Sequence, residues 1–290
     1  MNLWQNYLQP NTLSEALKAF STAPQPLVIV AGGTDILIDL QQGRHEPVKT
    51  LVDISRVVEM HTLELRGEYF FIGAGASVNK VALDPLTFQH ARALVDACNL
   101  IAGPQVRNVA TLGGNVAHGL PAADGTIALL ALDAQVEIAS VTGFRKIPLR
   151  DIFLGPGKTA IKHGEELLVG FYLPISRDHQ SSGFKRIMRP QGIALPILNC
   201  AVWLDRSQDI VKDIRIAVGP GGPTPFRATQ TESFLKGKSL SDSIVELAGD
   251  TLIHEAHFRT SARRASQEYR MHLALKLFKD TTFSAWERAK

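Results

Sequence analysis

The sequence is short of cysteine, of net charge and of long apolar runs, and each shortage removes a class of protein. Its 290 residues hold two cysteines, Cys98 and Cys200. Two cannot make a disulfide framework or a four-ligand metal site, and they read as buried, reduced thiols of a cytoplasmic protein. With no C-x-x-C, no iron–sulfur cluster is expected on this chain by itself. A net charge of +3 is too small to argue for nucleic acid. No stretch approaches about 18 consecutive apolar residues, so no membrane span is expected. Met1-Asn-Leu-Trp-Gln-Asn6 lacks a basic segment followed by an apolar one, so no signal peptide is expected. What is present is ordinary: 45% hydrophobic and 20% charged residues, with a length that suits two domains.

Read in order, Thr12-Leu-Ser-Glu15 is a capping box and predicts a helix to about residue 20, stopped by Pro24 and Pro26. The apolar run 27–31 suits a buried parallel strand, 35–40 a short helix and 51–54 a second strand, together a small β-α-β unit. Residues 61–66 and 69–74 flank Gly67-Glu68 as a hairpin, and 86–101 has helical spacing. A helix over 127–132, strands over 135–139 and 145–149, and a strand over 167–173 stopped by Pro174 follow. Residues 175–182 read as a linker. Beyond it come three antiparallel strands (184–189, 197–204, 210–218) and helices over 241–254 and 261–279, an α+β arrangement. The last 32 residues carry a net +5, which fits a solvated helix face or a face for a partner subunit.

Several motifs fail on inspection. Gly155-Pro-Gly-Lys-Thr159 is not a phosphate loop, because Ile152 stands where the first glycine is needed and Pro156 removes an amide. His254-Glu-Ala-His257 is one residue short of zincin spacing. Gly73-Ala-Gly-Ala-Ser77 lacks the third glycine of a dinucleotide fingerprint, and no Gly-x-Ser-x-Gly elbow occurs.

Two glycine doublets remain. One lies in Val28-Ile-Val-Ala-Gly-Gly-Thr-Asp35 and the other closes Ala102-Gly-Pro-Gln-Val-Arg-Asn-Val-Ala-Thr-Leu-Gly-Gly-Asn115. Glycine weakens a strand, so a turn or a close backbone approach is its reason there. Such loops turn amides toward an anion, and Thr34 and Thr111 add hydroxyls. Neither has Lys or Arg at its glycines, so amides must do the holding. From pattern alone, ordinary turns and an anion clamp both stay open.

At these residues the chain resembles the FAD subunits of molybdenum hydroxylases, the family of the xanthine dehydrogenase FAD subunit and the carbon monoxide dehydrogenase medium subunit. Ala31-Gly-Gly-Thr-Asp35 and Val106-Arg-Asn-Val-Ala-Thr-Leu-Gly-Gly-Asn115 look like its paired flavin loops. Leu120-Pro-Ala-Ala-Asp124, Phe153-Leu-Gly-Pro-Gly-Lys-Thr159, Gly164-Glu-Glu-Leu-Leu168, Phe184-Lys185, Arg189-Pro-Gln-Gly-Ile-Ala194 and Arg263-Arg-Ala-Ser-Gln-Glu-Tyr-Arg270 extend the likeness. The resemblance implies an α+β chain. A vanillyl-alcohol-oxidase-type FAD-binding domain spans 1–176, in α/β subdomains of about 1–57 and 58–176. A C-terminal α+β flavoprotein domain of three antiparallel strands and helices spans 183–290.

It also implies an electron outlet with little acid–base chemistry of its own. A large molybdopterin-binding subunit hydroxylates the substrate, a small [2Fe–2S] subunit relays electrons to FAD here, and FAD passes them on, typically to NAD⁺. A xanthine dehydrogenase-like role in purine metabolism, in a dimer of heterotrimers, is the leading expectation. A carbon monoxide or aromatic N-heterocycle dehydrogenase with another acceptor, or a non-catalytic flavin-binding assembly subunit, is the alternative. By matching position, Val28, Ile29, Val30, Ala31, Gly32, Gly33, Thr34 and Asp35, with Ala110, Thr111, Leu112, Gly113 and Gly114, should line the pyrophosphate and ribityl chain. Ile101 should pack near the flavin. Asp124 should accept from cofactor hydroxyls, or else cap a helix. Leu168 should meet the adenine side, Lys185 should make a polar contact to the flavin, and Gly192 and Ile193 should border its ring face. With no His or Cys in either loop, FAD should be non-covalent. Some relatives carry a four-cysteine insertion for a [4Fe–4S] cluster; only Cys98 lies in that region here, so the cluster is expected to be absent.

Overall fold

A computed structural model describes residues 3–189, 195–262 and 264–290. The chain opens with β1 (Trp4–Leu8), α1 (Leu13–Thr22), β2 (Leu27–Val30), α2 (Ile36–Gln41) and β3 (Val48–Asp53). The capping box forms as read: Thr12 Oγ1 accepts from the Glu15 amide at 3.2 Å, and the Glu15 carboxylate accepts from the Thr12 amide at 3.3 Å. It starts a helix that buries Leu13, Ala16, Leu17 and Phe20. The three strands are parallel, in the order β1-β3-β2. Sequence reading missed β1, because four of its five residues are exposed and no apolar alternation marks it.

The second layer starts with the hairpin β4 (Leu63–Arg66) and β5 (Tyr69–Gly73), turned at Gly67 with φ +62°. Then come α3 (Val78–Leu83), α4 (Pro85–His90), α5 (Arg92–Leu100), α6 (Pro104–Val109), α7 (Leu112–Ala117) and α8 (Asp124–Ala131). The strands β6 (Gln135–Ser140), β7 (Gly143–Pro148), β8 (Phe153–Gly155), β9 (Lys158–Thr159) and β10 (Glu166–Pro174) complete it. The single helix expected over 86–101 is two, broken at Ala91 (φ −141°, ψ 51°). The phosphate-loop lookalike is the small hairpin β8–β9, and Gly157 turns it at φ +68°.

The antiparallel sheet β4-β5-β10-β6-β7 packs its inner face on the helices. Phe70, Ile72, Leu94, Ile127, Ile138 and Phe171 are fully buried in that core.

The rest is β11 (Gln180–Met188), β12 (Pro196–Ser207), β13 (Ile210–Gly219), β14 (Phe226–Arg227), α9 (Thr229–Leu235), α10 (Asp242–Glu255) and α11 (Gln267–Arg288). The strands form one antiparallel sheet in sequence order. The expected linker yields its last residues to β11. The last helix starts later than expected, at Gln267, where Ser266 caps it by accepting from the Tyr269 amide at 3.2 Å. A turn closed by Ser261 N–H to Ala265 O (2.9 Å) occupies its expected start.

Strand β12 is buried on both faces, the physical reason it reads as a continuous apolar run. Leu198, Cys200 and Val202 face Leu252, Leu277 and Phe278 of the C-terminal helices. Ala201 and Trp203 point the other way and join the core of the five-stranded sheet. Among the described residues no helix is long and apolar enough to cross a membrane.

Candidate functional site

The two glycine loops touch. A Cβ built on Gly32 would lie 2.1 Å from Val109 O and 2.8 Å from Ala110 Cα. No side chain fits, so glycine is what lets the end of β2 reach the segment between α6 and α7. Gly33 follows with φ +69°, a left-handed conformation that favours glycine. Strand β2 is an edge strand, so one side of its backbone is free to face a ligand. Among the described residues, the amides of Ala31, Gly32, Gly33, Thr34 and Asp35 donate no hydrogen bond within the chain. The first four are only half exposed. Consecutive free amides at a turn are an anion-binding feature.

The second loop differs from expectation. It is mostly helical, in α6 and α7, and spends the amides around its glycines internally. Ala110 donates to Val106 O (2.8 Å), Leu112 to Ala76 O (3.1 Å) and Gly113 to Ala74 O (2.8 Å). Gly114 donates to Thr111 Oγ1 (3.0 Å), the N-cap of α7. Gly113 is required for packing: its Cβ would meet Ala74 Cβ and O at 2.6 Å. Around its glycines this loop is therefore a rigid wall, and the row of five consecutive free amides lies in the first loop; in the second, the amides of Ala102, Gly103, Gln105, Val106 and Thr111 also donate to nothing among the described residues. His118, at the end of α7, puts Nδ1 3.9 Å from the Asp35 carboxylate and links the two loops on their outer side.

Asp124 begins α8 and is 5% exposed. It does not cap the helix, since the N-cap is Ala123 and no side chain caps that end. Its carboxylate accepts from Arg186 on β11 and from Asn199 Nδ2 on β12 at 2.7 Å. Arg186 is equally enclosed, with a side chain 4% exposed. Burial pushes the Asp124 pKa up, against the opposing pull of Arg186 and Asn199. Among the described residues, Arg186 Nε and Asn199 Oδ1 are buried without a partner, as is Arg107 Nε on α6. Asp124 and Arg107 both act electrostatically on the buried Cys98 thiol, in opposite directions. Of the unpartnered atoms, Arg186 Nε is a donor that an anionic cofactor can satisfy, whereas Asn199 Oδ1 is an acceptor packed against Gly219, where an added Cβ would lie 2.4 Å from it. A carboxylate also keeps lone pairs beyond its two bonds here. The donor set fits FAD.

The remaining expected residues divide. Val28, Ile29 and Val30 lie on β2, leading into the amide turn. Ile101 ends α5, half-buried against the core. Leu168 is 5% exposed within β10. The turn preceding that strand lies near β2, since a Gly164 Cβ would sit 3.7 Å from the Leu27 side chain. Lys185 is not brought to the site. It pairs in register with Cys200, whose side chain belongs to the core of the C-terminal helices. Cross-strand partners share a face, so exposed Lys185 projects away from the side where Arg186 meets Asp124. Alternation along the strand puts the cation one residue later. Gly192 and Ile193 lie outside the described residues, as does Arg263. Sequence reasoning missed Arg186 and Asn199. A lone Asn inside the apolar run of β12 was the one available signal, because a buried amide needs a partner.

Comparisons with known proteins agree with this geometry. Residues 3–176 match the family described as the FAD binding domain in molybdopterin dehydrogenase, and residues 182–285 the CO dehydrogenase flavoprotein C-terminal domain. The chain is 33% identical over 271 residues to the xanthine dehydrogenase FAD-binding subunit of Escherichia coli O157:H7, covering 92% of this chain and 91% of that protein. It is 30% identical over 283 residues to the nicotine 6-hydroxylase medium subunit of Paenarthrobacter nicotinovorans, covering 97% of each. The solved carbon monoxide dehydrogenase from Hydrogenophaga pseudoflava superposes with a TM-score of 0.92 at 27% identity, over 99% of this chain and 98% of that one. Two glycine loops in contact, a chain-length match to both family domains and relatives that are oxidoreductase subunits lead to one conclusion: the chain belongs to the FAD-binding subunits of the molybdenum hydroxylases.

Proposed function

We propose that this chain is the electron outlet of a xanthine dehydrogenase-like complex. It takes electrons from the [2Fe–2S] clusters of a small partner subunit and delivers them to NAD⁺. A large molybdopterin-binding partner carries out the hydroxylation, and the assembly is a cytoplasmic dimer of heterotrimers. The observation that carries the site is the approach of Gly32 to Val109 and Ala110, which joins a row of free amides to a rigid wall. The likeness to the xanthine dehydrogenase subunit supports the choice of complex.

Bound FAD supplies two-electron redox chemistry and holds electrons between donor and acceptor. The chain's residues position it. The amides from Ala31 to Asp35, with the Thr34 hydroxyl, hold the pyrophosphate. Val28, Ile29 and Val30 line its approach, and Ala110, Thr111, Leu112, Gly113 and Gly114 form the opposing wall along the ribityl chain. Ile101 excludes water from one side of the flavin, and Leu168 borders the adenine end. Asp124 offers its remaining lone pairs to cofactor hydroxyls, fixed in orientation by Arg186 and Asn199. The cation nearest this cluster is Arg186, in the role first expected of Lys185. FAD is held without a covalent bond.

Affinity purification of the complex tests this reading. Co-purification of a molybdopterin-binding chain and an iron–sulfur chain is expected, with flavin bleached by a purine and restored by NAD⁺. Reduction by nicotine or carbon monoxide instead, or restoration only by oxygen or a quinone, would move the chain to another branch of the family.

A further inference from the structure

Helix α6 carries the wall that Gly32 touches, yet it buries none of its residues. Val106 and Val109 are 38% and 52% exposed. Burial therefore does not fix it; its far end is pinned by the backbone, where Ala110 O accepts from the Val78 amide at 2.8 Å, while its near end follows the turn at Ile101 and Ala102. The Arg107 side chain reaches back across the turn and donates from one guanidinium nitrogen to Ile101 O at 3.0 Å and Ala102 O at 2.8 Å. These carbonyls end α5. Ala102 stands at φ +42°, a left-handed conformation usually left to glycine at a helix end. An alanine held there needs support from its surroundings, and the Arg107 hydrogen bonds supply it. The same side chain thus fixes Ile101 at one end of α6. The other end of that short helix presents Val109 O and Ala110 to Gly32.

We infer that Arg107 is a positioning residue for the cofactor: its guanidinium clamps the Ile101–Ala102 turn to α6 and so fixes Ile101, the flavin-side residue, relative to the wall that meets the first glycine loop. The inference rests on the FAD site proposed above. Arg107 touches neither glycine doublet and need not touch FAD; it acts through Ile101 and Ala102. One guanidinium nitrogen serves both carbonyls, so the clamp depends on a charged donor at this position.

The test uses the full chain stripped of FAD, titrated with FAD by flavin fluorescence, with visible circular dichroism of the bound flavin and Tm recorded in parallel. Arg107→Ala should weaken FAD binding about tenfold or more and alter the dichroism of the flavin bound at saturation. The Tm of the apo chain should hardly move, since α6 lies outside the core. Guanidinium ion in the buffer should recover affinity, while urea at the same concentration should not. Wild-type affinity in Arg107→Ala, or a loss that guanidinium leaves unchanged, would overturn the inference. If Arg107→Ala does not fold, Arg107→Met decides, since it keeps the stem and removes the donors: weakened FAD binding at unchanged Tm supports the clamp, and wild-type binding refutes it. Gly32→Ala separates the two levels. If it loses FAD while Arg107→Ala does not, the site stands and the clamp falls; if the wild-type chain takes up no FAD, both fall.

Discussion

Gly32→Ala is the smallest change that attacks the site. One methyl group enters 2.1 Å from Val109 O and 2.7 Å from Val109 C. Ordinary carbon contacts lie at roughly 3.5 Å, so the loops must part by more than about an ångström. Overpacking of this kind costs roughly 1–3 kcal/mol. The apo chain can relieve it, because the five amides of the first loop anchor nothing inside the protein and the turn can swing outward. In the proposed site the FAD-bound chain could not, since the cofactor would need those amides against the wall. Most of the cost therefore falls on binding, as a rise in the FAD Kd of roughly 5- to 150-fold. Titration of apo chain with FAD, beside a thermal melt, reads both parts. Gly155→Ala is the control, because a Cβ there meets nothing within 4 Å and its φ is not positive. A Kd for Gly32→Ala within twofold of the control would refute the reasoning, as would a loss of apo stability matching the loss of affinity.

Three further outcomes follow from the same geometry. Asp124→Ala leaves the enclosed Arg186 without its carboxylate and should cost roughly 3–5 kcal/mol in denaturant unfolding, whereas the apolar double variant Asp124→Leu with Arg186→Met should cost much less. Burial alone would push Glu166 up, but hydrogen bonds from Arg145 (3.0 and 3.1 Å) and the Lys162 amide (3.0 Å), with the Arg145 charge, outweigh it and hold its pKa below the usual carboxylate value. Its stabilisation is therefore present above the ordinary carboxylate range and lost as pH falls through the lowered value. Glu166→Gln should cost about 1 kcal/mol at neutral pH, and the difference from wild type should shrink in urea melts as pH falls below the ordinary carboxylate range. Burial pushes both thiols, Cys98 and Cys200, up to about 12, so an aromatic disulfide reagent at pH 8 should label neither in the native chain and both after denaturation.

How much of this could be read in the sequence depended on range. Local signals worked: the Thr12–Glu15 capping box, the Gly67 turn between β4 and β5, and the three long strands of the second sheet formed where the residues placed them. Elements without a buried face were hidden. Strand β1 is mostly exposed, and α6 buries nothing, so neither leaves an apolar period to detect. Helix α7 was masked by its own glycines, which weaken a helix yet are imposed here by the contact of Gly113 with Ala74. At the site, both glycine doublets were legible as loops of consequence, but their division of labour was not. That depends on which amides find partners 30 or more residues away, as Gly113 does at Ala74. The Asp124–Arg186 pair spans 62 residues, and strand alternation decides that Arg186 rather than Lys185 faces inward. Only the register with β12 reveals that choice.

The central claim is that free amides of the first loop and the rigid wall of the second hold FAD as an electron relay. The most direct measurement is the visible spectrum of the purified complex, recorded anaerobically through addition of purine substrate and then NAD⁺, followed by acid precipitation. The expected result is one flavin per chain, bleached by the purine, restored by NAD⁺, and released intact into the supernatant as FAD. A complex that shows no flavin bands even after incubation with FAD, or a flavin that the iron–sulfur clusters cannot reduce, would contradict it.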